Sequence, residues 1–333
     1  MTEKILLAHG SGGQLYHQLI EELFVPAFGN DILEELNDSA VCQFAADKLA
    51  MTTDSFVVDP VFFPGGNIGK MAVCGTVNDL SMSGAKPLYL SVGMIIETGF
   101  LLSDLRKITY SMAEAAKEAG VQIVTGDTKV VGKGQCDKIY INTAGVGALD
   151  RRRDLSLRQI AEGDLLVISG NVAEHGLAIL AARENLSFTP PFTSDVAALN
   201  DLVDRVFCAE LKALRDPTRG GVAATCHEWS AKSGLGVILE EAAIPISDAT
   251  MAACNLLGLD PLFIANEGKF LAVVEKAAAP DFIRCCQAHP KGKNARIIGY
   301  FTKEHAPGVF LSTPYGSRRS VNLPSGEQLP RIC

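Results

Sequence analysis

In both halves of this chain, predicted strands follow one another with no obligatory helix between them. A doubly wound sheet needs a crossover helix between successive parallel strands, so the pattern predicts an α+β layered (α/β) architecture instead. In the first half, "KLAMTTDSFVV", "PLYLSVGMII", "VQIVTGDTKV" and "KIYINTAGVGAL" read as strands. "QLYHQLIEELFVPAF", "NIGKMAVCGTVNDLSMSGA" and "LSDLRKITYSMAEAAKEAG" read as helices, the last stopped by Gly120. The charged link "DRRRDLSLRQIAEGD" separates the halves. After it, "LLVISG" predicts a strand, and helices are predicted over about 174–185 and 195–214. "LFIANEGKFLAVV" predicts a strand, a tight break at Asn266–Gly268 and a second strand. The expected organisation is a domain over 1–150, a second over 151–312 and a flexible tail over 313–333. That tail, "TPYGSRRSVNLPSGEQLPRIC", has no apolar period and ends on Cys333.

At 333 residues there is room for two ordinary domains, and 47% hydrophobic content excludes disorder. A net charge of −8 argues against a nucleic-acid partner, because phosphate binding needs clustered Lys and Arg. No apolar run reaches the length of a membrane helix, and "MTEKILLAHGSGG" is too short in its apolar core for a signal peptide. A cytoplasmic location without membrane contact is expected. The 9 cysteines contain no C-x-x-C, which argues against a zinc or iron–sulfur site. Most sit in apolar surroundings such as "KMAVCGTV"; Cys333 does not.

The common nucleotide fingerprints are missing: "GGNIGKM" fails the P-loop spacing and "AGVGALD" fails G-x-G-x-x-G. Short acidic turns recur instead, at Asp38, Asp54, Asn78–Asp79, Asp127 and Asp216, each beside small residues. Carboxylates hold magnesium against a triphosphate, and glycines let phosphate oxygens approach backbone N–H groups. Asp at a strand end is also common as a turn former, so no one of these turns decides the matter. Asp79 is the most informative, because it interrupts an otherwise apolar helix where a charge needs a partner.

"HGSGG", "TTDSFVVDPVFFPGGNIGKMAVCGTVNDLSMSGAKP", "GDTKVV", "RDPTRGGVA", "NEGK" and the final "PRIC" occur in this order along the whole chain. Together they resemble the HypE family of hydrogenase maturation proteins. That family lies in the wider group of aminoimidazole ribonucleotide synthetase, selenophosphate synthetase and thiamine-monophosphate kinase. The resemblance implies a two-domain aminoimidazole ribonucleotide synthetase-like fold. Two copies would pair their N-terminal sheets into a β-barrel, with ATP in a cleft beside it. It implies ATP-dependent dehydration of a carbamoyl group carried on Cys333. The product is a thiocyanate that supplies the cyanide ligand of nickel–iron hydrogenase. It also implies HypF as the carbamoyl donor and a HypC–HypD complex as the acceptor.

Under that resemblance, Asp38, Asp54, Asp79 and Asp216 are expected to handle magnesium. Gly10, Ser11, Gly12, Gly13, Asp38, Asp54, Asn78, Asp127 and Arg219 are expected to bind ATP, with "HGSGG" as a lid and His9 beside it. Cys333, Lys129 and Glu267 are the expected catalytic residues. Lys129 faces the same side of its strand as Asp127 and would steady an oxygen; an exposed strand lysine is the plainer reading. Glu267 would take the N–H proton; a polar turn tip is the plainer reading. The tail of about 20 residues reaches at most roughly 70 Å, enough for Cys333 to visit another enzyme and return. Two other readings remain open at this level. One is a sister ATP enzyme, although the reactive cysteine that a selenophosphate synthetase would carry is absent from "HGSGGQ". The other is a non-catalytic scaffold that responds to Mg-ATP.

Overall fold

The structure, a computed structural model, describes residues 3–36, 39–150, 153–324, 326, 329 and 332. The first domain is built on a four-stranded sheet in the order Lys48–Phe56, Ile139–Leu149, Lys86–Glu97, Gln122–Val131. The last two run parallel and the other neighbours antiparallel. The helices Ile68–Met82 and Leu102–Ala119 belong to the core beneath one face. Asn67 starts the first of these, its side chain accepting from the N–H groups of Gly69 and Lys70. Almost every residue of that helix is buried, which explains its small residues. A Cβ on Gly69 would stand 2.6 Å from Ile108 O, and one on Gly75 would stand 2.9 Å from the Phe56 ring. Glycine at these positions lets the helix lie directly on its neighbours. The other face of the sheet carries exposed Leu49, Met51 and Ile95.

The second domain has a seven-stranded sheet. Its order is Arg318–Ser320, Gly308–Ser312, Gly236–Glu240, Arg296–Thr302, Leu165–Ile168, Leu271–Val274, Leu211–Arg215. Both faces are buried: Ile168, Leu271 and Val273 point into one apolar cluster, Val167, Ala272 and Val274 into another. The mixed sheets and the two layered halves match the α+β expectation.

Three expectations are corrected. The helix predicted over 195–214 is only Asn200–Val206, followed by the edge strand Leu211–Arg215. Its apolar period is real, but the residues before it form an extended link fastened to the first domain. "LFIA" is not a strand: Asp260 caps a short 3-10 turn, Pro261–Phe263, and only Leu271–Val274 joins the sheet. The second sheet also continues past residue 312. Arg318–Ser320 pairs with Gly308–Ser312, and Val321 is buried. An edge strand of exposed arginines has no apolar alternation for a sequence reading to detect. Further along, Ile332 is buried against the first-domain core.

The domains are stitched together by hydrogen bonds: Ser194 N–H to Pro64 O (2.8 Å), Asn200 Nδ2 to Ala119 O (2.8 Å) and Arg183 Nε to Asp59 O (2.8 Å). A large cleft lies between them.

Candidate active site

The cleft encloses about 660 Å³. From the first domain, the strand Lys48–Phe56 contributes Thr52 and Asp54, and the helix Ile68–Met82 contributes Asp79. From the second domain, the turn after Leu211–Arg215 contributes Asp216 and Arg219, and the "NEGK" turn contributes Glu267. Thr52 and Asp54 lie two apart on one strand and so share its inner face. The Thr52 hydroxyl donates to Asp79 Oδ2 at 2.8 Å, the partner that a charge in an apolar helix requires.

The carboxyls act on one another. Burial raises the Asp54 pKa, opposed by the Ser55 N–H and the Arg219 charge. Burial also raises Asp79; the Thr52 hydrogen bond opposes this and the Asp54 charge adds to it. Asp216 is pushed up to about 7 by burial and then by Asp79. Glu267 is raised well above the usual carboxylate range, by burial first and then by Asp216, Asp195 and Asp54. Burial is the largest cause in each case, the acidic neighbours add to it for Asp79, Asp216 and Glu267, and the Arg219 charge opposes it at Asp54, Asp79 and Glu267. Among the described residues, no group of His, Cys, Asp and Glu closes into a ready metal cage. Carboxylate oxygens are the donors that magnesium takes, together with oxygen ligands it brings with it.

The "NEGK" turn is held from several sides. Asn266 Oδ1 accepts from Ala173 N (2.8 Å), and its amide donates to Pro217 O (3.0 Å). Asp195 accepts from the N–H groups of Glu267 (3.1 Å) and Gly268 (3.2 Å) and from Lys269 Nζ (3.2 Å). Burial works to raise the Asp195 pKa, yet the Lys269 charge and the Glu267 N–H hold it below the ordinary value. A Cβ on Gly268 would lie 1.8 Å from Asp195 O, so only glycine fits there.

The structure brings Asp54, Asp79, Asp216, Arg219 and Glu267 together. Asp38 and Cys333 lie outside the described residues. Asp127 and Lys129 are not in this cluster. Their strand is at the opposite edge of the sheet from Asp54, three inter-strand steps or about 14 Å away. They are exposed and pair with Gly93 and Ile95 on the face turned away from the helices. In the glycine loop, Ser11 Oγ donates to Ala8 O (3.0 Å) and Gly12 adopts φ +74°. Gly13 leads into the helix Gln14–Leu19. Gly10 abuts the strand, since a Cβ there would sit 2.8 Å from Val130 N. His9 turns inward, its Nδ1 accepting from Leu6 N (3.0 Å), rather than out over the loop.

Asn78 is corrected. Its Nδ2 donates to Ala197 O (3.0 Å) and Glu267 O (3.4 Å), and its Oδ1 accepts from Leu199 N (2.8 Å). Fully buried, it fastens the second domain's chain to the helix, and both ends of its amide are taken up by these bonds. Sequence reasoning missed Thr52, His175 and Asp195. The strand period pointed to Thr52 through Asp54. Asp195 carried no signal, because it fell at the start of a helix that does not form there.

The chain matches two family models: AIR synthase related protein, N-terminal domain, over residues 36–149, and C-terminal domain, over residues 161–312. It is 50% identical over 330 residues to a carbamoyl dehydratase HypE from Bradyrhizobium diazoefficiens, covering 98% of this chain and 95% of that protein. A crystal structure of hydrogenase maturation protein HypE in complex with ATP superposes with a TM-score of 0.94 at 44% identity, covering 98% of this chain and 99% of that one. The corresponding values for a HypE–HypF complex structure are 0.81 and 48%, covering 92% and 99%. Within the AIR synthase related proteins, this chain belongs to the HypE family of carbamoyl dehydratases. No helix among the described residues is long and apolar enough to cross a membrane.

Proposed function

We propose that this protein uses ATP to dehydrate a carbamoyl group on Cys333 to a thiocyanate, in the cytoplasm, during maturation of nickel–iron hydrogenase. The observation that carries this reading is the interdomain cleft, where Glu267 is buried among acidic neighbours with a raised proton affinity. A carbamoyl thioester, R–S–CO–NH2, keeps its oxygen because oxide is a poor leaving group. ATP supplies the remedy, since phosphoryl transfer to that oxygen lets it depart as phosphate. Two N–H protons must then leave for R–S–C≡N to form. Glu267, held by Asn266 and Asp195, would accept one; an upward-shifted carboxyl is a stronger base than an ordinary one. The reaction R–S–CO–NH2 + ATP gives R–S–C≡N + ADP + phosphate, with atoms balanced.

Asp38, Asp54, Asp79 and Asp216 would hold magnesium, which neutralises phosphate charge. Arg219 would add to this at the cleft mouth, and Gly10, Ser11, Gly12 and Gly13 would cover the nucleotide. Asp127 and Lys129 take part if a second copy packs on the outer face of the four-stranded sheet, where exposed Leu49, Met51 and Ile95 favour a homodimer. HypF is the proposed carbamoyl donor, in keeping with the likeness to a HypE–HypF complex, and HypC–HypD the proposed cyanide acceptor.

The test is mass spectrometry of the peptide bearing Cys333. The carbamoylated chain given Mg-ATP should lose the mass of one water there, and Glu267→Gln should slow this while nucleotide still binds. An unchanged mass would point to the scaffold reading.

A further inference from the structure

His175 is fully buried on the helix Glu174–Arg183. Its Nε2 lies 2.7 Å from the carbonyl oxygen of Ile332, the residue before Cys333. A carbonyl only accepts, so Nε2 carries the hydrogen. Nδ1 of the neutral ring is then an acceptor, and the Ser194 hydroxyl stands 2.8 Å from it, ready to donate. Ser194 Oγ in turn accepts from Val196 N–H at 3.1 Å. The tautomer is thus fixed by the protein. The Phe63 ring packs edge-on against the imidazole at 5.7 Å. Ile332 is itself only 7% exposed and joins the first-domain core.

We propose that His175 is a positioning residue for the carrier thiol: its Nε2–H grips the main chain one residue before Cys333 and sets the docked pose of the tail for dehydration. The inference rests on the function proposed above for Cys333. The contact is to backbone, so it fixes how far the tail has entered, while the Ile332 side chain fills an apolar slot. Ser194 adjoins Asp195, which holds the Glu267 and Gly268 N–H groups. The grip on the tail and the support of Glu267 therefore belong to one stretch of chain.

The test follows the Cys333 peptide by mass in full-length carbamoylated protein given Mg-ATP. Wild type is compared with His175→Leu, His175→Gln and Ser194→Ala. Nucleotide affinity, melting temperature and the alkylation rate of Cys333 are measured alongside. His175→Leu should slow water loss about tenfold or more, because misplacing a reacting group by an ångström is enough for that. Its Cys333 should alkylate faster than that of wild type, with nucleotide affinity unchanged. His175→Gln, whose amide N–H reaches the same carbonyl, should recover most of the rate, and Ser194→Ala should fall between. A leucine variant with the wild-type rate, or a glutamine variant no better than leucine, overturns the proposal. If the leucine variant does not fold, Ser194→Ala at the wild-type rate and alkylation overturns it. If wild type never loses water, the proposed function has failed; equal alkylation in wild type and His175→Leu would then separately remove the grip.

Discussion

Asn78→Ala separates two roles for a residue that the sequence assigned to nucleotide binding. In the structure its side chain accepts from Leu199 N–H at 2.8 Å and donates to Ala197 O at 3.0 Å, across the domain boundary. Truncation leaves that N–H and that carbonyl buried without a partner. Each unmatched group costs roughly 1–3 kcal/mol, so the expected loss is about 3 kcal/mol. Asn78→Asp should do no better, since it keeps the acceptor for Leu199 but sets a lone pair against Ala197 O. Urea unfolding, followed by two probes to check for a single transition, gives the stability. Hydrogen exchange at the Leu199 amide reports the local effect, and nucleotide affinity is measured on the folded protein. The clamp predicts a large stability loss, fast exchange at Leu199 and near-normal nucleotide affinity. A stability loss below about 1 kcal/mol, with affinity reduced about tenfold or more, would refute the clamp and restore Asn78 to the nucleotide.

Gly268→Ala should displace the turn carrying Glu267, because the new methyl would meet Asp195 O; a loss of about 3 kcal/mol and of turnover is expected, read by urea midpoint and by the Cys333 mass assay. Thr52→Val removes the hydrogen bond that opposes the upward shift of Asp79, so the carboxyl resonance of Asp79 should titrate at higher pH than in wild type. Burial lowers the His175 pKa, against the opposing Asp195 charge, so the unfolded chain takes up a proton that the fold resists. That contribution to stability is complete above the unfolded value of about 6.5 and falls as pH drops below it, by up to about 1.4 kcal/mol per pH unit. His175→Gln should lack this slope when urea midpoints are compared at about pH 7.5 and about pH 5.5; parallel behaviour would contradict it.

Much of this molecule is readable from local chemistry. The helix Ile68–Met82 announces itself by small residues around a lone acidic side chain, Asp79, and Gly120 ends the helix Leu102–Ala119 where a left-handed residue is needed. Asp54, Asp79, Asp216, Arg219 and Glu267 are scattered along the sequence, yet the fold collects them in one cleft. What stayed hidden depends on contacts between distant segments. Asn78 and Asp79 are neighbours on one helix, and no pattern tells that one faces the seam and the other the cleft. Asp195 looks like a helix cap until Glu267 and Gly268 are folded against it. The strand Arg318–Ser320 has no apolar residue; it is held by pairing with Gly308–Ser312 and by the ion pairs of Arg318 with Glu304 and Arg319 with Asp260.

The adjacency of Ser194 and Asp195 has a mechanical consequence. One residue braces the histidine that holds the proposed carrier arm at Ile332, the next the turn that carries the proposed base Glu267, and the Ser194 N–H ties both to Pro64 in the other domain. Sway of the two domains displaces arm and base by the same amount, so the error cancels in their separation. In the proposed reaction, a tail tip that comes back to this contact meets the base in register, because both are measured from a common datum.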